Sequence, residues 1–477
     1  MVIQKKVFLF ALPIFISFLL HFHVFKLELI GYHVWRQTQT QTVIYNFDSN
    51  DNSIFHPQKF DITNGTTKLL YEFPLYQWLI AQYNKIFDYS VSHSRYITFI
   101  IFCFFLVGFF KLLKLHVNDE VALATNFCLC FSPLLYYYCV NPLPDIFALT
   151  LSTWSLFYFI KFLKADSFKY VLLSAILLSL ATLIKLPYIL FGASVLVYLF
   201  QKIKTKEISF SIKVSLIYLI TFIAPIIWYA HAIPTWKGNG ITEGIINNHK
   251  TFSVIFDFVQ FHFISSLPEL LTNYASTLFL LIGTIYCFKN FKSLFQNTKH
   301  YLFILIAFLA YFLFEVNMIE KTHDYYLMPF IPLIFLIVAK GIQILYSGKY
   351  KMMVFVCLFI VPITAWLRID QRWNIIDPGF NSDYLNYTYF LQKNIPKNEL
   401  CIIDSDESKF IILYYLKRNG FCLNKGELNE STLDVLYNKG AKYLVTENLS
   451  FNLKDYPTFN FKRIFKNKIC VYLITEK

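Results

Sequence analysis

From Val7 to Phe25 the chain carries no Asp, Glu, Lys or Arg, and apolar runs of similar length recur along most of its sequence. About twenty apolar residues in a helix cross a hydrocarbon core of roughly 30 Å. Inside that core every backbone N–H and C=O must be paired within the protein, which leaves helices as the form such runs take. Charged residues make up 15% of the chain, against about 25% in soluble domains. The sequence therefore predicts a polytopic α-helical membrane protein. About eleven spans are expected, over 7–25, 96–113, 121–140, 146–163, 170–184, 187–200, 211–230, 272–288, 301–316, 326–345 and 352–367. The first is longer than a signal-peptide core and no small-residue cleavage site follows it, so it reads as an uncleaved helix.

The formal charge of +13 reflects topology rather than a nucleic-acid partner. With the N-terminus in the cytoplasm, the inner loops hold Lys5, Lys6, Lys111, Lys114, Lys161, Lys164, Lys169, Lys202, Lys204, Lys206, Lys213, Lys289, Lys292, Lys299, Lys340, Lys349 and Lys351. The short outer turns hold Lys185 and Lys321. This asymmetry puts the loop 26–95, the turn 141–145, the loop 231–271, the turn 317–325 and everything after 368 outside.

Loop 26–95 is long enough to expect function in it. Its stretch "YEFPLYQWLIAQYNKIF" reads as a helix lying on the membrane, with Pro74 in the first turn and Leu75, Trp78, Leu79 and Ile86 near one face. "TFSVIFDFVQFHFI" in the loop 231–271 reads the same way. After Trp366 the chain turns polar. "ELCIID", "GFCLN", "AKYLVTE" and "KICVYLIT" predict strands, and 383–394, 407–418 and 430–438 predict helices. Two parts follow: a membrane module over 1–367, including the loop 26–95, and a small soluble α/β domain over 368–477. Of nine Cys, Cys401, Cys422 and Cys470 fall in that domain, where an oxidising compartment permits one disulfide, Cys401–Cys422.

Four polar clusters fall on the outer side. They are His33, Trp35, Arg36 and Gln37 after the first span; Tyr71 and Glu72; Asp145 at the head of the fourth span; and His323, Asp324, Tyr325 and Tyr326. Lys185 adds a cation at the end of the fifth. Each has a plain structural role open to it: Asp145 as a helix-dipole complement, Arg36 as a headgroup anchor, Lys185 as a snorkelling side chain, the tyrosines as an interfacial belt. Their confinement to one side also suits a site that needs a base, a phosphate-binding cation and aromatic walls. His33, Glu72 and Asp145 are of metal-ligand type, but their separation carries no spacing signal, and a divalent metal stays open.

The order of "HVWRQTQT", "YEFPLYQWLIA", "PLPDIFAL", "LATLIKLP" and "HDYYLMPFIPL" resembles the GT-C glycosyltransferases of the protein O-mannosyltransferase and lipid A aminoarabinose transferase type, and most of all their bacterial family 39-like relatives. The resemblance covers residues 1 to about 367. It implies an inverting transfer from a polyprenyl-phosphate sugar to a glycan, lipid or protein acceptor at the outer face of the bacterial cytoplasmic membrane. By the same resemblance Arg36, Glu72, Asp145, Lys185, Tyr325 and Tyr326 match motif positions. Two departures stand out. The motif's usual Asp is His33 here, and the Asp that some relatives carry after the Gln is Gln39. Three readings follow: His33 as the base, Asp145 as the base with His33 orienting the acceptor, or a chain that has lost catalysis. Outside the resemblance, a lipid-linked glycan flippase or a polysaccharide polymerase or ligase would share the many spans. A transporter, however, is expected to carry charge near the bilayer midplane, and almost none is found there.

Overall fold

The computed structural model describes residues 2–50, 53–236, 244 and 250–477; part of the expected loop 231–271 lies outside them. Its contacts divide the chain into two units. One comprises residues 1–26, 71–76 and 94–371, the other 27–70, 77–93 and 372–477. Sequence composition put the first loop with the membrane helices; by contacts, most of it clusters with the C-terminal segment.

The first unit is helical. Among the described residues six helices are long and apolar enough to cross a membrane: Val91–Leu113, Asp145–Ala165, Leu186–Lys204, Phe252–Leu271, Asp324–Ser347 and Lys351–Trp373. The pair Ile208–Thr221 and Ile223–Trp236, bent by 46°, adds a seventh, and shorter apolar helices cover Phe168–Ile184, Tyr274–Lys289 and Thr298–Phe314. The chain is an integral membrane protein by this content. Several expected spans change form. The run 121–140 is broken into Asp119–Cys130 and Pro133–Tyr138, because Pro133 cannot donate into a continuing helix and suits a new first turn. Phe252–Leu271, expected as a surface helix, has the length and composition of a span.

Charge and small residues fix the helix ends and crossings. Asn118 caps the helix Asp119–Cys130 by accepting from Val121 N at 3.0 Å. Asp119 accepts from Lys6 at 2.6 Å and Lys114 at 3.0 Å. Helices Asp145–Ala165 and Phe168–Ile184 form a hairpin in which Ser155 Oγ donates to the Ser174 carbonyl at 2.8 Å. Tyr274–Lys289 crosses Ile331–Ser347 at Gly283 and Gly341. A Cβ on either would lie about 2 Å from the facing helix's carbonyl oxygen, at Ile337 or Phe279. Backbones approach this closely in a membrane only through small residues.

The second unit holds a five-stranded sheet, β1 Leu400–Ile403, β2 Gly420–Cys422, β3 Ala441–Thr446, β4 Phe459–Lys466 and β5 Cys470–Glu476, in the order β2-β1-β3-β5-β4. β1, β2 and β3 are parallel, and β5 runs antiparallel to both β3 and β4. The sequence reading missed β4, whose Lys462, Arg463 and Lys466 mask its alternation. The first loop extends this sheet: Ile62 N donates to the Gly420 carbonyl at 2.8 Å and Gly420 N to the Phe60 carbonyl at 3.1 Å. Helix Val34–Ser49 packs on helix Ile411–Leu416. The expected Cys401–Cys422 disulfide is not formed. Cys401 lies opposite Gly420, and Cys422 opposite Ile403, so the two thiols are out of register, and all nine Cys are free.

Two carboxylates at the C-terminal ends of the parallel strands make this unit sensitive to pH. Asp406 accepts from Ser408 Oγ at 2.5 Å and from Ile412 N at 3.2 Å, yet burial holds its carboxyl above the usual range. Burial does the same to Glu447, reinforced by the charge of Asp406. A carboxyl whose folded pKa is raised contributes stability below its unfolded pKa and loses it as pH rises through the folded value. Protection of the β1 and β3 amides from hydrogen exchange, corrected for intrinsic rate, should therefore rise on acidification from about pH 7 towards the ordinary carboxylate range. Glu447→Gln should weaken that dependence. Protection that falls over the same window would contradict the assignment.

Candidate functional site

In the first unit the "NPLPD" turn sets the position of Asp145. Asn141 Nδ2 donates to the Tyr137 carbonyl at 2.8 Å, and Leu143 N donates back to the Asn141 carbonyl at 2.7 Å. Arg95, 0% exposed, donates to Asn141 Oδ1 at 2.7 Å and to the Val140 carbonyl at 3.2 Å. The helix that follows begins at Asp145 with Pro144 as its cap residue and no side-chain cap bond. Asp145 is the acid in the first turn of that helix.

Asp145 is 2% exposed. Its Oδ1 lies 3.4 Å from Lys185 Nζ. Its Oδ2 is buried and has no hydrogen-bond partner among the described residues. Lys185 ends the helix Phe168–Ile184 in extended backbone, at φ −155° and ψ 109°, because the nearby Pro187 restarts the chain as the short 3-10 segment Leu186–Gly192. Its ammonium sits 5.6 Å from the ring centre of Tyr325 and 5.9 Å from that of Tyr326, within cation–π range. The two rings are 4.7 Å apart. Asp324, beside them, accepts from Tyr138 OH at 2.5 Å. His323 faces both rings, at 6.0 and 6.4 Å, and burial lowers its pKa. Tyr188, also buried, has a hydroxyl without a hydrogen-bond partner among the described residues.

The segment 71–76 is clamped beside this group. Phe73 N donates to the Leu183 carbonyl at 3.0 Å, Trp228 Nε1 to the Tyr71 carbonyl at 3.1 Å, and the Phe73 and Trp228 rings meet edge-to-face at 5.0 Å. Tyr71 faces Trp236 at 6.3 Å. These contacts hold Glu72 next to the strand of chain that leads into Lys185.

The other three residues singled out in the sequence belong to the second unit. His33 precedes the helix Val34–Ser49 in left-handed backbone, φ 57° and ψ 31°, and its ring stacks near Tyr32 at 4.2 Å. The Arg372 guanidinium lies over the same Tyr32 ring, 4.3 Å from its centre. Gly31, at φ 84°, donates to the Pro378 carbonyl at 2.8 Å. Arg36 is buried and donates to the Gln39 side chain, so the residue that replaces an expected acid is its hydrogen-bond acceptor. Gln37 Nε2 donates to the Tyr32 carbonyl at 3.1 Å.

Asp145, Lys185, Tyr325 and Tyr326 are thus brought into one cluster, with His323 at its edge and Glu72 held close in chain. Arg95, Tyr138 and Tyr188 were missed in the sequence; only Arg95 carried a signal, as a cation at the outer mouth of a span. Among the described residues no three His, Cys, Asp or Glu side chains group closely enough to hold a metal ion. Lys185→Met would leave Asp145 buried without its partner, a loss of about 3 kcal/mol or more. Lys185→Met with Asp145→Asn should recover most of it in thermal or denaturant unfolding. A double variant no more stable than the single would mean the two groups do not interact.

The family model described as dolichyl-phosphate-mannose-protein mannosyltransferase matches residues 72–228, which include Glu72, Asp145 and Lys185. No curated protein matches the chain by sequence. Solved structures do match. The chain superposes on ArnT from Cupriavidus metallidurans in its apo state with TM-score 0.68 at 10% identity, over 99% of this chain and 98% of that one. On the same protein bound to undecaprenyl phosphate the TM-score is 0.66 at 11% identity, over 98% of each chain. An Archaeoglobus fulgidus oligosaccharyltransferase in complex with Zn and sulfate gives 0.59 at 14% identity, over 92% of this chain and 67% of that one. The chain has the GT-C fold, and the likeness runs through its C-terminal unit as well as its helices.

Proposed function

We propose that this chain is a membrane glycosyltransferase that moves a sugar from a polyprenyl-phosphate donor to a glycan, lipid or protein acceptor. The observation that carries the reading is the state of Asp145: one carboxylate oxygen faces Lys185 while the other is buried with no hydrogen-bond partner among the described residues. A general base needs an oxygen available to an incoming hydroxyl in a partly dry site. A neighbouring cation suits a phosphate leaving group. The GT-C fold and the match over 72–228 support the same reading, and the ArnT structure with undecaprenyl phosphate supports the donor class.

In this scheme the acceptor hydroxyl gives its proton to Asp145 Oδ2 and its oxygen bonds to the anomeric carbon. The bond from that carbon to the phosphate oxygen breaks, and its electron pair leaves on the polyprenyl phosphate. Attack from the face opposite the leaving group inverts the anomeric centre. Lys185 binds the departing phosphate, and Tyr325 and Tyr326 wall the sugar. Arg36 and Gln37 are assigned to phosphate binding, and Tyr71, Glu72 and His323 to substrate binding, on the strength of the resemblance. His33 orients the acceptor. The site faces the outside of a bacterial cytoplasmic membrane, with the N-terminus in the cytoplasm and residues 368–477 outside, as the lysine distribution supports.

The test is sugar transfer from a panel of polyprenyl-phosphate sugars by the purified full-length chain, with envelope lipids and glycans as acceptors. Asp145→Asn should lower kcat by roughly 10²–10⁴-fold, and Arg36→Ala should raise KM for the donor. His33→Ala should alter KM for the acceptor more than kcat. Donor translocation without transfer, unaffected by Asp145→Asn, would replace this reading with a flippase.

A further inference from the structure

The helical unit holds a second feature. Helices Tyr274–Lys289, Phe291–Phe314 and Ile331–Ser347, with the segment His262–Leu271, line a partly open cavity of about 550 Å³, within the size range of a small-molecule pocket. Its walls are apolar, including Leu280, Leu302, Leu305, Phe330, Leu333 and Ile337, and at one end they give way to Lys340, His116 and Tyr301. A void of this size forfeits dispersion contacts along its whole lining, and in a bilayer the molecules at hand to restore them have acyl chains.

The polar end carries charge that the protein does not neutralise. Lys340 Nζ donates to Gln343 Oε1 at 3.2 Å, and Lys164 Nζ donates to the Leu115 carbonyl at 2.7 Å. Neither meets a carboxylate among the described residues, whereas nearby Lys114 is paired with Asp119. Both ammonium groups act on His116. Burial first, then the charges of Lys164 and Lys340, lower its pKa to about 4. The neutral imidazole pairs with Tyr301 OH at 2.7 Å. Lysines on this side are expected from topology alone, but topology does not require one of them to end an apolar cavity.

We propose that this cavity is a binding site for an anionic phospholipid, with one acyl chain between the three helices and the headgroup phosphate at Lys340 and Lys164. The charge complementarity selects an anionic headgroup over a zwitterionic one. The apolar walls run as far as Leu327 and Phe330, but the phosphate end of the site is separate from the Asp145 cluster. Lys340 lies nine residues past Ile331, about 14 Å along a helix at 1.5 Å per residue, whereas Tyr325 and Tyr326 precede that helix. A donor whose phosphate sits at Lys185 does not place it at Lys340. The proposal does not rest on the transferase reading.

The experiment is native mass spectrometry and lipid extraction of the full-length chain purified in mild detergent, followed by thermal unfolding after relipidation with phosphatidylglycerol or phosphatidylcholine vesicles. Wild type should retain an anionic phospholipid and be stabilised by phosphatidylglycerol in preference to phosphatidylcholine. Lys340→Gln should lose both effects, and Lys349→Gln should keep them. Leu305→Trp, which fills the cavity and leaves the lysines in place, should also lose the lipid. Retention of polyprenyl phosphate in place of phospholipid would overturn the proposal and give the cavity to the donor. Equal response to both vesicle types, retention unaffected by Lys340→Gln, or no retained lipid would each overturn it as well.

Discussion

A backbone inside a bilayer must find all its hydrogen bonds within the protein, and wherever a helix breaks, some other group has to take up the freed carbonyls. Three breaks in the helical unit are answered by polar side chains from elsewhere in that unit. At the break after Cys130, Asn273 Nδ2 donates to the Phe131 carbonyl at 3.2 Å, and His21 Nε2 lies 2.9 Å from the Tyr136 carbonyl. At the turn before Asp145, Arg95 takes the Val140 carbonyl. Where the chain leaves its helix at Lys185, Tyr229 OH donates to the Leu183 carbonyl at 3.0 Å, and Phe73 N reaches the same oxygen. The breaks and the polar residues are one design: irregular backbone is tolerated only where side chains satisfy it, so chemistry-bearing residues collect there.

This accounts for the contact ring around Asp145. Tyr138 ends a short helix created by Pro133 and reaches Asp324, which opens another short segment ahead of Pro329. That segment sets Tyr325 and Tyr326 against Lys185, and Lys185 returns to Asp145. Asp145 is tied back to Tyr137 and Tyr138 through the Asn141 turn that Arg95 holds. No member is positioned by its own helix alone. Arg95 fixes the turn from which Asp145 emerges, so it positions the carboxylate.

What could be read from the sequence follows from which signals are local. Apolar run length is local, and it gave the membrane class. Four of the five strands were legible because alternating apolar residues mark them, while the fifth was hidden by Lys462, Arg463 and Lys466 on its exposed edge. The break at Ser132–Pro133 was present in the sequence but was overridden by the hydrophobicity on both sides. The pairing of Asp61 with Gly420 joins segments far apart in chain and has no local signature, so the sharing of the first loop with the C-terminal sheet could not be read. The same holds for Gly283 against Gly341. At the site, spacing alone would not have joined Asp145 to Lys185 or to Tyr325; family resemblance placed these residues among the candidates, and the packing joins them.

The polar stretch after the first span has a physical account of its own. "HVWRQTQTQT" forms a helix whose Gln and Thr side chains are buried, which is costly unless they are satisfied. Thr40 Oγ1 donates back to the Arg36 carbonyl at 3.0 Å and Thr38 Oγ1 to the Trp35 carbonyl at 3.0 Å. Gln41 reaches Tyr89 OH at 3.2 Å, and that hydroxyl lies 3.2 Å from Tyr414 OH on the C-terminal helix Ile411–Leu416. The stretch is therefore tied by a polar network to the C-terminal part of its own unit. His33 sits at the head of that helix in left-handed backbone, held by the Tyr32–Arg372 stack. The C-terminal segment therefore shares in fixing the orientation of His33. Asp145, in the first unit, is held separately, with one oxygen on Lys185 and the other without a hydrogen-bond partner among the described residues.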